Sequence, residues 1–108
     1  MTSFFIPGLV DNPSVQSTYE QMRRLAERRM GRAPRDRRII ELWTRRGNVD
    51  CVTTVGEPDP ICGDTVIAIF DMGPHQPFLV YHRRGDVPFD IRCEVLEGNA
   101  YDVAEFDP

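Results

Sequence analysis

The sequence contains no lysine, and its 13 basic residues other than histidine are all arginine. Without lysine the chain cannot form a Schiff base or supply the lysine of a phosphate-binding P-loop. Serine is also scarce, with only Ser3, Ser14 and Ser17, and no G-x-S-x-G motif is present. These absences argue against a serine hydrolase of the nucleophile-elbow type and exclude a P-loop phosphate-binding enzyme.

Long apolar runs are missing as well. No stretch approaches the roughly 18 apolar residues that cross a bilayer, and the first ten residues lack the basic leader of a signal peptide. The three cysteines, Cys51, Cys62 and Cys93, are an odd number at spacings that suggest no disulfide framework. We therefore expect a cytoplasmic protein with reduced thiols and no membrane contact.

The length of 108 residues predicts a single domain spanning 1–108, with one hydrophobic core. Residues 1–12 are predicted to form an extended N-terminal arm. Residues 13–30 are predicted to form an amphipathic helix, because one set of apolar residues recurs at helical spacing. This set consists of Val15, Tyr19, Met22, Leu25, Ala26 and Met30. Gly31 is predicted to end the helix.

A change from helical to alternating periodicity predicts that the rest of the chain, 37–106, forms an antiparallel sheet. Segments 37–46 and 49–55 flank Gly47-Asn48, which is a strong hairpin signal. This loop predicts the cross-strand pairs Arg46–Val49, Arg45–Asp50, Thr44–Cys51, Trp43–Val52, Leu42–Thr53 and Ile40–Val55. One face of the hairpin then carries Ile40, Leu42, Cys51, Thr53 and Val55. We expect this face to pack on the helix.

The strands predicted at 65–71 and 78–82 are apolar on both faces, so both faces require cover. One helix is too narrow to cover them both. The sequence therefore predicts an α+β fold with one helix and a curled antiparallel sheet of five or six strands, similar to a small barrel. The alternative is a homodimer in which a second copy covers the open face.

Chemistry-bearing residues are few. His75 is predicted to lie exposed in a turn, and His82 near a strand end, facing solvent or an acid. An enzyme with either histidine as general base, oriented by Asp71 or Asp86, is a minor alternative. The acids Glu57, Asp59 and Asp64 are interpreted as solubilising one loop, and no local metal chelate of the C-x-x-C or H-x-x-x-H kind is present. We predict no catalytic residues, no metal and no cofactor.

The basic residues are concentrated in one region. Residues 20–46 hold ten arginines against four acids, whereas the chain from Asp50 onwards holds three arginines against twelve acids. Arginine suits bidentate phosphate contacts, so nucleic-acid binding is an alternative function. Its candidate residues are Arg35, Arg37, Arg38, Arg45 and Arg46. The net charge of −4 weighs against this alternative.

The leading hypothesis is a small, non-enzymatic interaction module that binds a protein partner or a second copy of itself. Tryptophan and arginine are enriched at the energetic centres of interfaces. The outer face of the predicted hairpin holds both, beside an apolar N-terminal arm. The candidate binding residues are Phe4, Phe5, Ile6, Trp43, Arg45 and Val52. In the competing interpretation, Trp43 belongs to the core.

Overall fold

A computed structural model describes residues 15–87, 90–98 and 100–106 of the chain. Within these residues there are one helix and six strands. They are α1 (Val15–Met30), β1 (Ile39–Arg46), β2 (Val49–Thr54), β3 (Thr65–Asp71), β4 (Phe78–Arg83), β5 (Ile91–Leu96) and β6 (Ala100–Glu105). All strand pairs are antiparallel, so the α+β class is confirmed.

The helix occupies most of the predicted segment, and residues 13 and 14 lie outside the described part. It ends at Met30. Gly31 follows with φ of +72°, and its N–H donates to the carbonyl of Glu27 at 2.8 Å. This left-handed C-cap favours glycine, because a Cβ there is sterically costly.

The hairpin has the register that its loop predicts, from Arg46–Val49 to Leu42–Thr53. Gly47 has φ of +65° at the first central position of the two-residue loop, which fits a type II′ turn. The turn therefore sets which hairpin residues face inward. The exposed Arg45–Asp50 pair, 4.0 Å apart, is the predicted cross-strand ion pair.

The six strands form two three-stranded sheets, in the orders β2-β1-β6 and β3-β4-β5. The prediction of one curled sheet is therefore wrong. The chain leaves the first sheet after β2 through a loop with two prolines, Pro58 and Pro60, which cannot continue a ladder. It returns after β5, and β6 pairs with β1 instead of extending the second sheet.

The second sheet lies between α1 and the first sheet, so both of its faces are covered. On the helix side the buried cluster contains Met22, Ala26, Ala68, Phe70, Met72, Leu79, Tyr81 and Ile91. On the other side it contains Ile39, Leu42, Val66, Ile69, Val80 and Leu96. Apolar cover from two directions is what the strands at 65–71 and 78–82 require. The missing cover comes from the chain's own first sheet.

The expectation that the inner hairpin face packs on the helix is wrong for the same reason. That face, represented by Leu42, packs against Val80 of the second sheet. The helix instead packs on the opposite face of the second sheet, where Tyr19 meets Phe70 with ring centroids 5.3 Å apart. The sequence pattern identifies an apolar face correctly but does not specify which apolar surface it meets.

A bulge in β3 explains why its sequence does not alternate. The β3–β4 register shifts between Val66 and Ala68. The extra residue, Ile67, therefore turns to the helix side with Ala68, while Val66 and Ile69 both face the first sheet.

Candidate functional site

The space between the two sheets is apolar in its centre and polar at one end. Two of the polar side chains come from opposite sheets, Arg46 from the end of β1 and His82 from β4. A third, Asp59, comes from the loop before β3. The Asp59 and His82 side chains are 0% and 6% exposed, and Asp59 Oδ2 lies 2.9 Å from His82 Nε2. We call Arg46, Asp59, Cys62, His82 and Glu94 the Asp59–His82 cluster.

The loop that carries Asp59 is closed by its own hydrogen bonds. The Asp59 carboxylate oxygen Oδ1 accepts the N–H groups of Ile61 at 2.8 Å and Cys62 at 3.4 Å. The Asp59 carbonyl accepts the N–H of Gly63 at 2.8 Å, and the Asp59 N–H donates to the backbone carbonyl of Asp64 at 2.7 Å. Aspartate is favoured in turns because its side chain bonds to N–H groups two residues ahead. The loop therefore holds the carboxylate inward and leaves Oδ2 for His82.

Arg46 links the sheets from the other side of Asp59. Its guanidinium lies 3.6 Å from Asp59 Oδ1 and donates to Glu94 Oε2 at 3.1 Å. It also donates to the hydroxyls of Thr44 and Thr53, each at 3.3 Å. These partners satisfy a guanidinium whose side chain is only 11% exposed.

The ionisation of Asp59 follows from these contacts. Burial alone raises the pKa of a carboxyl, but the Ile61 N–H, the His82 ring and the Arg46 charge together outweigh it. The pKa of Asp59 is therefore held below its usual value. The site thus contains a buried, ionised carboxylate that an imidazole and a guanidinium contact directly.

A cavity of about 290 Å³ opens beside the cluster. Its lining consists of Asp59, Ile61, Cys62, Asp64, His82, Arg92, Cys93 and Glu94. Burial, together with the negative charges of Asp59, Asp64 and Glu94, raises the pKa of the Cys62 thiol, although a backbone hydrogen bond to Asp64 opposes the rise. The direction of this shift is opposite to the lowered thiol pKa that marks an activated nucleophilic cysteine.

Several expectations for the histidines and acids require correction. His82 does face an acid, but it is buried in β4, the central strand of its sheet. Its carboxylate partner is Asp59, not Asp71 or Asp86. The interpretation of Asp59 as a solubilising loop acid is wrong, because Asp59 is buried. His75 is exposed in a turn, as predicted, and has the unusual φ of +61°.

Trp43 lies on the outer face of the first sheet. Its cross-strand partners are Val52 of β2 and Asp102 of β6. It belongs to neither of the apolar clusters found in the described part of the chain. Val52 is 42% exposed and Arg45 is exposed on the same face. We call Glu41, Trp43, Arg45, Asp50 and Val52 the Trp43 face. The other predicted binding residues, Phe4, Phe5 and Ile6, lie outside the described residues.

The structure does not gather the five arginines of the nucleic-acid alternative on one surface. Arg37 contacts Asp71 at 3.0 Å and Glu105 at 2.8 Å, and the hydrogen bond to Glu105 contributes most to a raised Arg37 pKa. Arg35 lies 3.8 Å from Asp71, and Arg46 belongs to the Asp59–His82 cluster. Arg38 stacks over the Tyr19 ring at 4.3 Å, and Arg45 pairs with Asp50.

Sequence reasoning missed the Asp59–His82 cluster because its members are distant in sequence. His82 and Asp59 are 23 residues apart, and Arg46 and Glu94 are 48 apart. One local signal was available. A carboxylate and a thiol lie three residues apart in a proline-rich turn, at Asp59 and Cys62. A search limited to paired cysteines or paired histidines does not detect this spacing.

Comparison with protein-family models, curated proteins and solved structures found no match. In the described part of the chain, no helix has the length and apolar character to span a bilayer.

Proposed function

We propose that the protein is a small, cytosolic, non-enzymatic interaction module that associates with a second copy of itself through the Trp43 face. The observation that carries the proposal is the position of Trp43. The only tryptophan of the chain lies on the outer face of a sheet, although both apolar clusters lie elsewhere. An aromatic side chain in such a position is a strong candidate for the centre of an interface. The three free cysteines support a reducing compartment.

The charge pattern on β1 favours a second copy as the partner. Glu41, Trp43 and Arg45 alternate along one strand, so an acid and a base flank the indole at about 7 Å on either side. A two-fold axis that runs across the strand through Trp43 reverses the strand direction in the second copy. It therefore places Glu41 of each copy against Arg45 of the other. A face that is its own complement suits an isologous dimer.

The size of the face limits the strength of this association. Three strands of about six residues cover roughly 14 by 20 Å, or about 280 Å² per copy. A stable interface buries about 800 Å² per partner. The Trp43 face alone therefore supports only weak self-association. We include Phe4, Phe5 and Ile6 in the proposed interface, because an apolar arm adds the contact area that the sheet face lacks.

The experiment is sedimentation equilibrium of the full chain over a wide range of concentration. We expect a monomer–dimer equilibrium that Trp43→Ala weakens. Far-UV circular dichroism should be unchanged, because Trp43 is partly exposed and belongs to neither apolar cluster of the described residues. Val95→Ala is the matched control, since Val95 is an exposed apolar residue on the other sheet. A monomer at all concentrations, or a dimer that Trp43→Ala does not affect, contradicts the proposal.

Charge reversal tests the orientation of the two copies. Glu41→Arg or Arg45→Glu alone places like charges together and weakens the dimer, whereas the double variant restores opposite charges and the dimer. A dimer that is indifferent to all three changes excludes the two-fold arrangement. If the chain is strictly monomeric and captures a different host protein through Trp43, that protein is the partner. The proposal of self-association is then wrong.

Nucleic-acid binding and enzymatic activity are the two alternative functions. Nucleic-acid binding is disfavoured by the acidic or aromatic partners of its five arginines. A titration at two salt concentrations tests it, because phosphate contacts weaken steeply with salt. The enzymatic alternative draws on His82 and His75, each of which lines a cavity. It requires turnover of a substrate that His82→Gln or His75→Gln abolishes.

A further inference from the structure

Three side chains of the Asp59–His82 cluster bring different ligand atoms to one place. A carboxylate oxygen of Asp59, the Cys62 thiol sulfur and a ring nitrogen of His82 all lie within 4.8 Å of one another. Two of these residues are buried, and all three line the cavity of about 290 Å³. We propose that Asp59, Cys62 and His82 bind one divalent transition-metal ion, for which zinc is the best match.

The ligand set determines the class of ion. Oxygen, nitrogen and sulfur together suit borderline ions such as Zn²⁺, whereas Mg²⁺ and Ca²⁺ require oxygen ligands alone. Zinc binds these atoms at about 2.0–2.3 Å, so its ligand atoms lie roughly 3.3–3.8 Å apart. Asp59 Oδ2 and His82 Nε2 lie 2.9 Å apart and need to separate by only a few tenths of an ångström. The Cys62 sulfur lies within 4.8 Å of both atoms, so it must approach them by at most about 1.5 Å. Cys62 is exposed, so its side chain has room to rotate.

The surroundings orient the ligands. The N–H of Ile61 and the Arg46 guanidinium engage Asp59 Oδ1, which leaves Oδ2 directed at the histidine. Arg46 likewise holds Glu94 Oε2, while Glu94 Oε1 lies 3.7 Å from His82 Nε2. Such outer contacts fix the orientation of ligands in metal sites. Glu94, or a water molecule from the cavity, is the candidate for the fourth position.

The charge balance also favours a cation. Asp59 and Glu94 provide two negative charges, and Arg46 provides one positive charge between them. Asp64 adds a further carboxylate to the cavity, where Arg92 is paired with Asp90. A divalent ion neutralises the remaining negative charge, although the Arg46 guanidinium lowers its affinity. The three carboxylates Asp59, Asp64 and Glu94 thus give the cavity a negative field that a divalent ion would relieve.

The test is a titration of the full, untagged chain, reduced and freed of metal, with Zn²⁺ by isothermal calorimetry. We expect one equivalent to bind at micromolar concentration and to raise the thermal midpoint. Cys62→Ser and His82→Gln should each weaken binding at least about tenfold. Cys51→Ser and His75→Gln are the matched controls, because neither residue lies in the cluster, and they should leave binding unchanged.

The absorption spectrum of bound Co²⁺ shows whether Cys62 is a ligand, independently of how tightly the ion binds. Co²⁺ bound by a thiolate gives a sulfur-to-metal charge-transfer band, which we expect in the wild-type chain and not in Cys62→Ser. Cys62 lies on an exposed turn, so this variant keeps the fold even if His82→Gln does not. Absence of Zn²⁺ binding overturns the proposal. Binding that survives both cluster substitutions, or that is lost equally in His75→Gln, overturns it as well.

Discussion

Burial of the second sheet from both sides predicts that truncations on its two faces are equally damaging. Leu79 faces the helix and Ile69 faces the first sheet, and both are fully buried. Each change to alanine removes about three carbons, which costs about 2.4 kcal/mol of transfer free energy at about 0.8 kcal/mol per methylene. The cavity left behind raises the loss to about 2–5 kcal/mol.

Urea denaturation followed by far-UV circular dichroism measures this loss. A domain of this size has a free energy of unfolding of about 5–16 kcal/mol, at about 0.05–0.15 kcal/mol per residue. With a slope of about 1–3 kcal/mol per molar urea, a loss of about 2–5 kcal/mol lowers the midpoint by at least about 0.7 M. Val95→Ala on the same sheet is the control and should change stability by less than about 0.5 kcal/mol. If Ile69→Ala behaves like this control, the first sheet does not cover that face and our description of the fold is wrong.

Two further predictions concern how the elements are held. Met22→Ala truncates a fully buried helix side chain that packs on the second sheet, and it should lower the free energy of unfolding by about 2–5 kcal/mol in urea denaturation. Glu27→Ala, at an exposed position of the same helix, should be nearly neutral. A small cost for Met22→Ala would mean that the helix is not docked there. Gly47→Ala forces an L-residue to φ of +65° and should cost at least about 1 kcal/mol. An unchanged urea midpoint would show that this turn does not set the register.

Local signals in the sequence were sufficient for the helix end and the hairpin. Gly31 and Gly47 occupy backbone conformations that glycine favours, and a short-range rule identifies each one. The requirement for cover on both faces of the strands also followed from their sequences, because segments 65–71 and 78–82 carry apolar residues at successive positions. These features depend on residues close together in the chain or on one element at a time.

The arrangement of the elements was not available from such rules. The pairing of β6 with β1 joins Ala104 to Glu41, across more than half the chain, and no local pattern encodes it. The burial of Asp59 depends on Arg46 and His82 arriving from two different sheets. An aspartate between two prolines is by itself typical of an exposed turn. The candidate metal site therefore became visible only once the fold had brought these side chains together.

The most direct measurement of the proposed function is the fluorescence of Trp43 as the chain is concentrated. The chain has one tryptophan, so the emission reports on the proposed interface alone. Self-association through the Trp43 face predicts a shift of the emission to shorter wavelength with the same concentration midpoint as the increase in mass. An increase in mass with unchanged emission, or no increase in mass at all, contradicts it.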